Sequence, residues 1–257
     1  GLLLTTGPTG SGKTTSLYAF LRHIHTPEIK IVTIEDPIEY HLPGIVQTQT
    51  NGEDYTFASG LRSVLRQDPD VIMVGEIRDS EVAEVAVQAA LTGHFVFSTL
   101  HTNNAAGTFP RLVDLGLDPK TFASAVTVAM AQRLVRTLDS NARKQVPSTI
   151  EEQRIMKQIL STLEDKSLMP PSLDTVWVPD PKNEDETGFK GRTGVHEAIF
   201  MDEELGAFLR DNPSEGDIAK HVRRQGFLTM AQEGVLKALA GDTSLEELFK
   251  VIYLPRD

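Results

Sequence analysis

The chain has no cysteine among its 257 residues, which excludes disulfide bonds and thiolate metal sites alike. No apolar run approaches the ~20 residues needed to cross a bilayer, and no basic-then-apolar stretch of the signal-peptide kind is present. Positive charge is short: 25 lysines and arginines face 36 acidic residues, a formal net charge of −11. That balance argues against tight, nonspecific nucleic-acid binding by the surface as a whole. Aromatics make up only 6%, with one tryptophan, and nothing resembles the basic and aromatic lining of a nucleic-acid groove. The remainder, 40% apolar and 24% charged, suits a globular protein with one large or two modest cores. There are no internal repeats and no low-complexity tract.

What is present is organised around Gly7-Pro8-Thr9-Gly10-Ser11-Gly12-Lys13-Thr14, with Thr15 behind it. The stretch fits the phosphate-loop pattern G-x-x-x-x-G-K-[ST] at every fixed position. Its glycines let consecutive backbone N–H groups turn inward around phosphate oxygens, and Lys13 adds a point charge. Thr14 can hold Mg²⁺ by its hydroxyl, and the following helix points its positive end at the anion. Leu2-Leu3-Leu4 reads as a buried strand before the loop, and Thr14 to His25 as a helix after it. A bound nucleoside triphosphate is the expectation. Because the chain begins inside this strand, a fragment or processed form is expected too.

Five short apolar runs punctuate the first half: Leu2–Thr5, Ile31–Ile34, Val46–Thr48, Val71–Val74 and Phe95–Thr99. Several lack alternation, as strands of a parallel sheet buried on both faces do. Helix-period segments lie between them, one marked by Phe57, Leu61, Val64 and Leu65, another by Val82, Val85, Ala86, Ala89 and Ala90. Such alternation predicts an α/β fold with a mostly parallel sheet and ligands at the carboxyl ends of its strands. From Asp118-Pro119 to about Thr137 the pattern reads as helix. Asp139 to Lys190 holds five of the 14 prolines and the acidic run Glu184-Asp185-Glu186. Within it, Ser148–Asp165 reads as an amphipathic helix capped by Ser148-x-x-Glu151 or Thr149-x-x-Glu152. Ser167 to Lys190 reads as loop, with Trp177 as a packing anchor. Asp202–Tyr253 reads as three or four short helices broken at Asn212-Pro213, Gly226 and Gly241-Asp242.

Phosphoryl transfer to water needs a phosphate cradle, a metal, a carboxylate near the water, and cations for the developing charge. Asp68-Pro69-Asp70-Val71-Ile72-Met73-Val74-Gly75-Glu76 is an apolar strand ending in an acid, the Walker B arrangement, with Glu76 beside Mg²⁺ or the nucleophile. Ile34-Glu35-Asp36-Pro37-Ile38-Glu39 sets three carboxylates at another strand end, where a general base is expected. Thr92-Gly93-His94 and Ser98-Thr99-Leu100-His101 flank a third strand, and an imidazole there can bond a γ-phosphate oxygen. Arg62, Arg66, Arg78, Arg111, Arg133 and Arg136 are all candidates for an arginine finger, in cis or across subunits.

In this order the motifs resemble the secretion ATPase superfamily, the hexameric motors of type II secretion and type IV pilus assembly. There the blocks are the Walker A motif, Asp box, Walker B motif and His box. Ala131–Arg136, Gly191-Arg192-Thr193-Gly194-Val195-His196-Glu197 and Gly241-Asp242-Thr243-Ser244 match as well. The resemblance implies ATP and Mg²⁺ held by the loop residues Gly7 to Thr15, with Thr14 and Glu76 at the metal. It implies Glu39 as the base that activates water, Glu76 as the Walker B acid and His101 as a nucleotide contact. Glu35 and Arg78 complete the candidate catalytic set. It further implies a P-loop RecA-like core over residues 1–138, a variable segment 139–190 and a helical C-terminal subdomain 191–257. The expected assembly is a homo-hexamer, cytoplasmic and peripheral to the inner membrane. It would drive a membrane platform protein, with only indirect membrane contact and no nucleic acid. The assembly or secretion branch fits better than the retraction branch, with a pilus-retraction motor or a conjugation-type secretion ATPase as the alternative.

Two departures stand out. Members of that branch commonly carry two Cys-x-x-Cys pairs for structural zinc; here Asp139-Ser140-Asn141-Ala142 replaces the first pair, so no structural zinc is expected. The family's N-terminal domain, which lies over a neighbour's nucleotide, is not in these residues. A DNA translocase and a non-catalytic nucleotide-gated scaffold are the competing classes. Charge counts against the first, and intact Lys13, Glu39, Glu76 and His101 against the second.

Overall fold

Apolar runs without polar alternation make strands where both faces are covered, and all five of the short runs in the first half are strands. They are β1 (Leu2–Thr6), β2 (Ile31–Glu35), β3 (Val46–Gln49), β4 (Val71–Val74) and β5 (Phe95–Leu100). The computed structural model that defines them describes residues 1–52, 54–183 and 186–252. Glu184 and Asp185 of the acidic run, and Tyr253 at the end of the expected helical stretch, lie outside the described residues. β2 and β4 are buried along their whole length, whereas β3 is partly exposed, as an edge strand is.

β6 (Val126–Leu138) and β9 (Phe189–Phe200) join these five in a sheet of order β3-β2-β4-β5-β1-β6-β9. The β3/β2, β2/β4, β4/β5, β5/β1 and β1/β6 pairs are all parallel. Parallel strands put their carboxyl ends on one side, so the turns after β1, β2, β4 and β5 open on a single edge. Helix α1 (Lys13–Ile24) follows β1 and buries Leu17, Tyr18 and Leu21 against Ile31, Val71, Met73 and Phe97. Each fully buried leucine there contributes roughly 2 kcal/mol. Helix α2 (Phe57–Val64) starts with a reciprocal Thr56–Ser59 capping box, and α3 (Ser80–Leu91) with the Asp79 carboxylate on the Val82 amide. α4 (Thr108–Asp114) and α5 (Pro119–Ala125) complete the first half.

The structure corrects the reading of residues 118–137. Helix stops at Ala125 and the rest is strand β6, pairing with β1 from Leu2↔Val126 to Thr6↔Ala131. Alanine and valine suit either state locally. A sheet edge at β1 that needs a partner decides for strand, a tertiary override of propensity.

The chain divides into two units, Gly1–Ala131 with Ile199–Val222, and Gln132–Ala198 with the chain from Arg223 on. In the first lie α7 (Glu203–Leu209) and α8 (Glu215–His221), and in the second α9 (Met230–Ala240) and α10 (Leu245–Val251). Asn212-Pro213, Gly226 and Gly241-Asp242 fall between these helices, as expected. The second unit has its own core, in which Met156, Ile159 and Leu160 meet Val176, Val195, Val235, Ala238 and Leu248. Its α6 (Ile150–Ser161) is capped by Thr149 with Glu152, the second of the two expected boxes. Ser148 instead donates its hydroxyl to the Leu173 carbonyl at 2.5 Å.

A second correction falls in this unit. The expected loop from Ser167 contains β8 (Thr175–Pro179), antiparallel to β7 (Arg143–Pro147) with Gln145 opposite Trp177. Half-buried Trp177 lies under the Arg143 guanidinium, 4.5 Å from the ring centroid. The Gly191–Glu197 motif is likewise strand, inside β9.

Candidate active site

The turn after β1 is the phosphate loop. Gly10 and Gly12 take φ of +78° and +89°, which L side chains rarely adopt, and a Cβ at Gly10 would project into open space. Gly12 is the residue before α1, and no side chain caps that helix, so its first amides are left for an anion. Lys13 lies across the loop, with Nζ 2.7 Å from the Gly7 carbonyl and 3.2 Å from that of Pro8. The Ser11 hydroxyl is buried with no hydrogen-bond partner, as is that of Thr5 at the end of β1. Orphaned buried hydroxyls are uncommon and mark a place where another polar group belongs. Thr14 is half-buried and Thr15 exposed.

Three motifs remote in sequence meet in one cluster. Arg78 pairs with a Glu76 oxygen and lies 3.5 Å from Asp36, while His101 Nε2 is 3.4 Å from the other Glu76 oxygen. The hydrogen bond it donates to Glu76 raises the Arg78 pKa above its usual value, and the guanidinium also sits 5.6 Å from the Phe57 ring centroid. A cleft of about 240 Å³ opens beside Arg78, lined among others by Asp36, Thr50, Thr56, Asp79 and Glu81.

Hydroxyls at the strand ends stitch this edge together. Ser98 donates to the Val74 carbonyl and Thr99 to that of Gly75, both at 2.8 Å, and the Ile77 amide returns to the Thr99 carbonyl at 2.9 Å. Ser98 and Thr99 therefore fix β4 and the residues leading to Glu76 against β5, which His101 follows. Thr6, one residue before the loop, receives the Thr102 amide at 2.7 Å. The two histidines flanking β5 separate: His94 bonds the Ala89 carbonyl at 3.1 Å, at the C-terminal end of α3, away from His101.

Glu35 and Glu39, close in sequence, are placed differently. Glu35 is 2% exposed; Tyr18 donates to one oxygen, and Thr33 (2.5 Å) and Gln47 (3.0 Å) donate to the other. Glu39 is exposed, on the turn that follows. Of the arginines, Arg62 pairs with Glu81 at 2.8 Å, Arg133 is buried, and Arg136 forms a two-pronged bond to Glu247 at 2.6 and 2.7 Å. Arg66 is exposed and Arg111 half-buried. Sequence reasoning had no sign of Tyr18, Gln47 or Thr6 as members of this edge. The one available signal was the alternation of glutamines in Val46-Gln47-Thr48-Gln49.

The family described as "Type II/IV secretion system protein" matches residues 1–250. The chain belongs to that family. Among curated relatives, type II secretion system protein E of Aeromonas hydrophila is 46% identical over 253 residues, covering 98% of this chain and 48% of that protein. The protein of the same name from Pseudomonas aeruginosa is 46% identical over 252 residues, again 98% and 48%. Type II secretion system ATPase E of Vibrio cholerae is 44% identical over 252 residues, with the same shares. The chain thus spans about half the length of these relatives. Among solved structures, the pilus retraction motor PilT with bound ADP has a TM-score of 0.69 at 28% identity, covering 98% of this chain and 61% of that one. The Legionella pneumophila ATPase DotB has a TM-score of 0.66 at 26% identity, covering 98% and 59%. The chain thus has the α/β fold with a mostly parallel sheet read from the strand–helix alternation, and it resembles these two ATPases over nearly its whole length. Among the described residues no helix is long and apolar enough to cross a membrane.

Proposed function

We propose that this chain is the ATP-hydrolysing motor portion of a type II secretion or related pilus-assembly machine, with its chemistry in residues 1–138. The observation that carries the reading is the phosphate loop. It combines left-handed glycines, an uncapped helix start, an unpartnered buried Ser11 hydroxyl and a lysine spanning the loop. Relatives at 43–46% identity named for type II secretion favour that system over pilus retraction. ADP in the PilT structure supports an adenine nucleotide as the ligand here.

In this reading the amides of residues 7–15 and Lys13 bind the phosphates. Thr14 and Glu76 would hold Mg²⁺ together with the nucleotide's own oxygens, since no group of three or more His, Asp or Glu forms a metal cage among the described residues. When bound, that ion orients the terminal phosphate and offsets its charge. Glu76 is steered by Arg78 on one oxygen and His101 on the other. Glu39 takes the proton of the attacking water, and His101 faces the nucleotide from the end of β5. Glu35 anchors the strand end from which the Glu39 turn departs. Copies assemble as a homo-hexamer at the cytoplasmic face of the inner membrane, where the cycle moves a membrane platform protein.

The test is ATP turnover and nucleotide affinity in the natural full-length protein, wild type beside Glu39→Gln. Binding should persist while turnover drops by on the order of 10²-fold or more. Wild-type turnover in Glu39→Gln would overturn the base assignment. A wild-type protein that neither binds nor hydrolyses ATP would overturn the reading as a whole.

A further inference from the structure

Glu39 stands on a turn, and a catalytic carboxylate on a turn needs something to hold it, because a misplacement of ~1 Å can cost about 10²-fold in rate. The holding groups lie on the edge strand. Residues two apart on a strand share a face, so Gln47 and Gln49 of β3 point the same way, beside Thr33 and Glu35 of β2, their register partners. Gln49 Oε1 accepts the Ile38 amide at 3.1 Å. Gln47 Oε1 accepts the Leu42 amide at 2.7 Å, and its Nε2 donates to the Tyr40 carbonyl at 3.2 Å and to Glu35 at 3.0 Å. The Gln47 amide has one arrangement that suits these groups: oxygen toward the Leu42 N–H, nitrogen toward the Tyr40 and Glu35 oxygens and, at 3.4 Å, the Tyr18 hydroxyl. The Tyr40 ring adds an edge-to-face contact with Tyr18 of α1, 4.7 Å between centroids.

These bonds bracket Glu39 on both sides. We propose that Gln47 and Gln49 are positioning residues for Glu39, clamping the turn 38–42 so that its carboxylate stands where the attacking water is held. Buried Glu35 is the anchor behind the clamp. It fixes the Gln47 amide, and through Tyr18 it ties the turn to the helix that follows the phosphate loop. The proposal rests on the reading of Glu39 as the base.

The experiment measures kcat and KM for ATP, the affinity for a nonhydrolysable ATP analogue, and Tm, in the natural full-length protein. Variants are Gln47→Leu, Gln49→Met, Gln49→Glu and Glu39→Gln. Expected are kcat losses of about tenfold for Gln47→Leu and Gln49→Met, with KM and affinity within about twofold of wild type. Gln49→Glu keeps an acceptor for the Ile38 amide and should turn over close to the wild-type rate. Gln49 is exposed, so Gln49→Met tests the clamp even where Gln47→Leu fails to fold. Unchanged kcat in Gln49→Met alongside a dead Glu39→Gln would overturn the clamp and leave the base assignment standing. A loss of kcat matched by equal losses of affinity, or a Gln49→Glu as slow as Gln49→Met, would also overturn it. Wild-type turnover in Glu39→Gln would sink the base assignment and the clamp with it.

Discussion

Glu35 ends one buried strand and Glu76 follows another, yet their surroundings differ. Glu35 has three donors and almost no contact with solvent. Its carboxyl group is held by neutral hydrogen-bond donors, a structural arrangement that a base facing water cannot share. The Glu76 side chain is 20% exposed, with one oxygen on Arg78 and the other 3.4 Å from His101. An amide at Glu76 keeps the size and loses the charge that the proposed metal-holding role requires. Glu76→Gln should therefore bind nucleotide and lose turnover by on the order of 10²-fold or more, read by equilibrium binding beside single-turnover hydrolysis. Near-normal single-turnover rates would remove Glu76 from the chemistry. At this scale the legible features were those local in sequence. Gly10 and Gly12 take left-handed φ, and Lys13 Nζ reaches back to the Gly7 carbonyl, all within one short stretch whose spacing can be read directly. Tyr18, Gln47 and Gln49 act between strands or between helix and strand, and their positions become meaningful only with the β2/β3 register.

Elements show the same division. β1, β2, β4 and β5 were readable because strands covered on both faces must be apolar throughout. β6 was read as helix because alanine and valine satisfy a helix equally well until the free side of β1 is considered. β7 and β8 were missed for a related reason: Arg143-Lys144-Gln145-Val146-Pro147 is polar, and its partner lies beyond α6 in the chain. The join between β9 and α9 was equally silent in the sequence. On α9, burial alone would push the Glu233 carboxyl up. Hydrogen bonds from the His196 side chain and backbone amide and from Lys237 outweigh it and hold the pKa at about 2, against an ordinary 4.5. The folded value is depressed, so the stabilisation is complete above about pH 4.5 and disappears as pH falls toward 2. Allowing for solvent screening, we expect Glu233→Gln to cost about 1–2 kcal/mol at pH 7, and the gap in Tm from wild type to close by about pH 2. An equal gap at both pH values would mean that the carboxylate's charge contributes nothing.

On the scale of the molecule, two units each carry a core of their own. The candidate chemistry gathers in the first, at the carboxyl edge of the sheet. The net charge of −11 bears on how copies come together. Like-charged protomers repel at long range, and that repulsion is screened beyond about 10 Å at 0.1 M salt. A ring of such protomers should thus tolerate or favour moderate salt, the opposite of an assembly held by exposed ion pairs. Nucleotide supplies the other half of the argument, because a ligand that binds the assembled form better shifts the equilibrium toward it. We expect the mass in solution to shift toward a hexamer when a nonhydrolysable ATP analogue and Mg²⁺ are added, and the shift to survive an increase in salt from about 0.05 to 0.15 M. Light scattering on these 257 residues, with and without nucleotide, reads both effects. A hexamer would put the ring interface within this chain and make Arg66 and Arg111 worth substituting in turn as fingers across the subunit boundary. A monomer that still binds nucleotide would assign closure of the ring to residues outside these 257, and the search for the finger would move there.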